Sequence, residues 1–138
     1  MAKKAAKRWT YAPKRGSKPQ VPEALKDEVT QRATALVDTV LKPTRVLPPL
    51  PDMEWNYLVN LYTRWYAGYF YFCGTWRCPA PNCLSEFFDL KFTRLEYAGN
   101  AHFNLAYMRH TDQWATVFYD LTLDECLEQV ATNELFWP

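Results

Sequence analysis

The run Tyr107-Met108-Arg109-His110-Thr111-Asp112 gathers a guanidinium, an imidazole, a hydroxyl and a carboxylate at what reads as a strand end. Such ends often carry binding and catalytic side chains. His110 has the chemistry of a general base, with Asp112 placed to orient its ring and Arg109 beside both. No Gly-flanked Ser or Cys nucleophile accompanies them. His102 would lie about 26 Å from His110 along an extended strand, too far to join it. The favoured reading is therefore a polar turn, with Asp112 bonding local backbone and Arg109 paired to an acid such as Glu96.

The cysteines offer a second chemistry. Cys73, Cys78 and Cys83 are spaced C-x4-C-x4-C, not the C-x2-C of zinc knuckles. On an extended chain Cys73 and Cys78 face opposite ways, with Cα atoms about 16 Å apart. Cys78 and Cys83 could approach across the loop Pro79-Ala80-Pro81-Asn82. They would then form a disulfide or, completed by Cys126 or His102, a metal site. Four cysteines are too few for a disulfide scaffold at this length, so buried free thiols are the favoured reading. Cys126 belongs to the core. No metal and no cofactor is expected. The four glycines are scattered, which leaves no phosphate-binding loop.

The third constellation is electrostatic. The formal net charge of +1 hides a division between a basic tail and an acidic body. Residues 1–18 hold Lys3, Lys4, Lys7, Arg8, Lys14, Arg15 and Lys18 and no acid. The nine basic residues that remain face all 15 acids, so the rest of the chain carries −6. Trp9 and Tyr11 sit among these cations. Seven cations with interleaved aromatics could neutralise phosphates and stack on bases. They could equally dock on an acidic protein surface, that of this chain or of another.

The elements that must position these groups follow from periodicity. Residues 1–20 lack an apolar repeat and read as a basic flexible tail; 21–138 read as one domain. Pro22 opens a helix whose stripe is Leu25, Val29, Ala33, Leu36, Val37, Val40 and Leu41, and Pro43 is expected to stop it. A stiff connector follows, carrying Pro43, Pro48, Pro49 and Pro51. Residues 56–66 fit both periods, Trp55, Leu58, Val59, Tyr62, Trp65 and Tyr66 as a helix, Tyr57, Val59, Leu61, Thr63 and Trp65 as a strand. The short turn Ala67-Gly68 favours the strand.

Tyr69–Arg77 is the centre of the chain. Tyr69, Tyr71, Cys73 and Thr75 point to one face, Phe70, Phe72, Gly74 and Trp76 to the other, and no charge appears before Arg77. In the next strand, 87–97, Phe88, Leu90 and Phe92 share a parity that Leu95 and Tyr97 break. A bulge near Thr93 restores all five to one side. Ala98-Gly99-Asn100-Ala101 turns into 102–110, with Phe103, Leu105 and Tyr107 inward, and 114–119 follows. Thr122 and Glu125 form a capping box for a last helix with Leu123, Cys126, Leu127, Val130 and Ala131 buried. That helix should fray before Pro138.

The sum is an α+β domain: an antiparallel β-meander of about five strands, with an N-terminal and a C-terminal helix on one face. No apolar run reaches the roughly 20 residues that span a bilayer, and no secretory signal is visible, so a cytoplasmic protein off the membrane is expected. The other face of the sheet is left for water or a partner. The favoured function is non-catalytic docking to a protein partner or a second copy, through the aromatic sheet and the tail. Nucleic acid or another polyanion bound through the tail, and a small enzyme built on Arg109, His110 and Asp112, are the alternatives.

Overall fold

The computed structural model describes residues 19–49 and 51–138. The tail cations and Trp9 and Tyr11 lie outside them. Five antiparallel strands form one sheet in the order β1 (Tyr57–Tyr66), β2 (Tyr69–Arg77), β3 (Phe87–Gly99), β4 (His102–Met108) and β5 (Trp114–Thr122). Each strand pairs with its neighbour in sequence, as short turns require. The ambiguous stretch is β1, and Ala67 and Gly68 turn it into β2 with φ of 53° and 86°. Such positive φ at both centres suits the twist of a two-residue hairpin.

The described helices cover one face of the sheet. The first runs from Glu23 to Arg45 as α1 (Glu23–Leu36), a π segment (Val37–Leu41) and α2 (Lys42–Arg45). Pro22 is its N-cap. Pro43 does not stop the helix. The Lys42 N–H donates to Val37 C=O, five residues back, so the backbone widens by one residue just ahead of the proline. A proline takes an N–H out of the helix, and its ring crowds the carbonyl four residues earlier. The wider turn next to Pro43 accommodates both, and such π bulges are a known way for a helix to absorb an irregularity. Val29, Ala33, Val37 and Leu41 are buried, whereas Val40 is exposed.

The last helix, α3 (Leu123–Thr132), begins with both bonds of the capping box, Glu125 N–H to Thr122 Oγ1 at 3.2 Å and Thr122 N–H to Glu125 Oε1 at 2.9 Å. Its Leu123, Cys126, Leu127 and Val130 meet Phe70, Phe72, Leu95, Phe103 and Leu105 of the sheet and the α1 stripe in one core. Arg45 reaches from the first helix to the end of α3 and donates to the Ala131 carbonyl at 2.8 Å, satisfying an orphan acceptor there. The chain does not fray after α3. Asn133 caps a short 3₁₀ turn (Glu134–Phe136) that buries Phe136 completely, and the Phe136 carbonyl accepts from the buried Thr93 hydroxyl at 3.2 Å.

Candidate binding surface

The uncovered face of the sheet is built by alternation and one bulge. Tyr62, Arg64 and Tyr66 of β1 stand opposite Cys73, Tyr71 and Tyr69 of β2. On β3 the register slips between Phe72 and Cys73, whose partners are Thr93 and Lys91, so Phe92 is the extra residue. The bulge expected near Thr93 is therefore present. It keeps Phe92, Leu95 and Tyr97 against the core, and it also brings Lys91 and Arg94 onto the same open face. In an unbroken strand two residues three apart would face opposite ways.

These cations lie on aromatic rings. Lys91 Nζ sits 4.5 Å from the Tyr71 ring centre and 5.3 Å from that of Tyr66, and the Arg64 guanidinium lies 5.3 Å over Tyr66. The Arg94 guanidinium is 4.4 Å from Tyr69 and 4.9 Å from Trp114 of β5. Trp114 reaches across to Tyr71, with ring centres 5.7 Å apart. Tyr71 is 6% exposed and Cys73 1%, although no described helix lies on this face; Lys91 and Trp114 pack against the Tyr71 ring. Among the described residues, none of Arg64, Lys91 and Arg94 has an ion pair, and the buried Arg94 Nε has no hydrogen-bond partner. A desolvated donor without an acceptor is costly, so an acceptor brought to Arg94 Nε would be favourable. Burial pushes the Cys73 thiol above its ordinary pKa, with Arg64 and Lys91 pulling it back in part. Burial likewise raises Tyr62, helped by Cys73 and Asp89.

A family model described as Domain of unknown function (DUF3024) matches residues 21–138. The chain belongs to the DUF3024 family. No curated protein and no solved structure matches it. The open face of this DUF3024 domain thus has to be read from its own geometry.

The other candidates fall elsewhere. Arg109, His110 and Asp112 are exposed in the turn between β4 and β5, closed by Arg109 N–H to Gln113 C=O and Asp112 N–H to Arg109 C=O, each 2.9 Å. Asp112 itself takes φ 62° there. Among the described residues no hydrogen bond or ion pair joins their side chains, so the structure does not assemble a base with its orienting acid. They line a groove of about 430 Å³ with Trp76, Leu90, Phe92 and Trp137. His102 stands at the opposite end of β4, its Nδ1 2.7 Å from the Asn100 carbonyl.

Cys78 and Cys83 are joined in a disulfide, with Cα atoms 6.3 Å apart, which corrects the expectation of free thiols for this pair. A turn closed by Cys83 N–H to Ala80 C=O at 3.4 Å, with Pro81 and Asn82 at its centre, folds the loop back between them. Cys73 and Cys126 are free and buried, as expected. Among the described residues no group of three His, Cys, Asp or Glu side chains is arranged to hold a metal, and no helix is long and apolar enough to cross a membrane.

Sequence reasoning left Arg64, Tyr66, Lys91, Arg94 and Trp114 unassigned. For Lys91 and Arg94 the signal was present, because the inferred bulge already places both off the apolar side. Trp114 needs the β4–β5 pairing to be placed.

Proposed function

We propose that the domain is a non-catalytic docking module whose open sheet face binds an acidic segment of a protein partner. The observation that carries this reading is the set of three cations held on aromatic rings, none of them in an ion pair among the described residues. Tyr, Trp and Arg are the side chains that dominate protein interfaces, because they bury large area at small entropic cost. Here the rings fix the cations in advance, so little further ordering is needed on binding. A carboxylate-bearing segment would supply acceptors that Arg64, Lys91 and Arg94 do not find among the described residues. The tail, rich in the same charge, would add long-range attraction to the same partner.

Single-stranded nucleic acid fits the surface less well. Base stacking needs open ring faces, and the chain's own cations occupy those of Tyr66, Tyr69, Tyr71 and Trp114. A short Glu-rich peptide, its Gln analogue and a single-stranded oligonucleotide can be titrated into isotope-labelled protein. The Glu peptide is expected to shift the resonances of Arg64, Lys91, Arg94 and Trp114, and the Gln analogue to leave them unmoved. Arg94→Ala should weaken the Glu peptide about tenfold, the worth of one charge-assisted hydrogen bond. Equal shifts with the oligonucleotide would move the reading to a general polyanion site, and no shift with either would end it.

A further inference from the structure

β3 pairs with β2 from Phe87 to Glu96 but with β4 only from Thr93 onward. Residues 87–92 therefore have one edge unpaired among the described residues. Cys78 N–H donates to Glu86 C=O at 2.7 Å, on the β2 side. Alternation then turns the backbone groups of Phe87, Asp89 and Lys91 outward. The Phe87 carbonyl is capped locally by Ser85 Oγ at 2.7 Å. Asp89 and Lys91 are left with outward N–H and C=O groups. Leu90 between them is 52% exposed, beside the groove that Trp76, Met108 and Trp137 help to line. An open edge with an exposed apolar side chain is a template for another strand.

We propose that this edge pairs with the same edge of a second copy of the chain, antiparallel, about a two-fold axis through Leu90. The residue order favours a second copy. Phe88-Asp89-Leu90-Lys91-Phe92 complements itself when reversed: Asp89 of one copy falls opposite Lys91 of the other, Phe88 opposite Phe92, and Leu90 opposite itself. In such a register each Asp89–Lys91 pair exchanges both of its backbone hydrogen bonds. Opposite charges directly across a strand pair add to this, and like charges oppose it. Asp89 and Lys91 both carry their side chains on the docking face, where Asp89 accepts from Thr75 Oγ1 at 2.5 Å, so the paired edge adjoins that face.

Sedimentation equilibrium of the full chain, from micromolar to near-millimolar concentration, should show a monomer–dimer equilibrium. Amide exchange at Asp89 and Lys91 should slow as concentration rises, a readout that needs no variant. Asp89→Lys alone and Lys91→Glu alone each place like charges across the axis and should weaken the dimer about tenfold, through two affected pairs. The double exchange D89K/K91E restores complementarity and should restore the dimer. A monomer at every concentration would overturn the proposal. So would a dimer indifferent to the single reversals, or one that the double exchange does not rescue. Protection of these two amides that does not depend on concentration would instead point to residues 1–18 or an extended peptide as the occupant, and would also overturn it.

Discussion

Gly74 lies beneath the Trp76 indole, and a Cβ there would meet ring carbons at 2.7 and 2.8 Å and Leu58 Cδ1 at 2.9 Å. Trp76 stacks in turn on Phe88 at 6.1 Å, so the ring has little freedom to withdraw. Gly74→Ala is therefore expected to destabilise by about 1–3 kcal/mol, the usual cost of overpacking. An unchanged denaturant midpoint would mean that the indole moves aside freely. Cys126 carries a prediction of another kind. Burial, with the Glu125 charge adding to it, pushes its thiol from 9.0 to about 12. A pKa raised by folding gives stability that is whole below the unfolded value and is lost as pH rises to the folded one. Cys126 should thus help to destabilise the protein between about pH 9 and 12. Cys126→Ala should flatten the alkaline limb of the stability profile while lowering stability near neutrality, which melts across pH can separate. A limb of unchanged slope would remove the thiol from the explanation.

At the scale of elements, α3 separates core energy from capping energy. Leu127 belongs to the core cluster, so Leu127→Ala should cost about 2–5 kcal/mol. Thr122→Ala removes only the cap and should cost about 1 kcal/mol. Equal and negligible effects in denaturant melts would show that α3 is not docked on the sheet. These features were legible because they are local: a Thr and a Glu three apart, a 3.6-residue stripe, a period of two broken once in β3. The failures are equally physical. A rule about the residue before a proline sees one peptide unit, and the widened turn at Val37–Leu41 that absorbs Pro43 spreads over five residues. Phe136 looked like the end of a fraying helix because its hydrogen-bond partner, Thr93, stands 43 residues earlier. The open face was legible as residue types and not as a constellation. Arg64, the Lys91 and Arg94 pair, and Trp114 come from three stretches that only the sheet brings together. Arg109, His110 and Asp112 show the converse, since closeness in sequence did not produce a shared geometry.

For the whole molecule, charge division and strand order set the behaviour. If the tail attracts an acidic partner to the sheet face, removing residues 1–18 should weaken binding of the Glu-rich peptide and flatten its salt dependence, while thermal stability stays nearly unchanged. A large drop in melting temperature on deletion would make the segment a structural arm instead. The strictly sequential strand order has a kinetic consequence. No strand has to wait for a partner from a distant part of the chain, and loops as short as Ala67-Gly68 close with little entropy loss. Contacts of this local kind favour rapid formation of a sheet. The slow search is left to the pieces that must return from afar, the first helix and the segment ending in Phe136. Phe136→Ala should therefore accelerate unfolding far more than it slows refolding, because a contact made late is absent from the transition state. Stopped-flow chevrons in which the refolding arm moved instead would place the C-terminus in the folding nucleus.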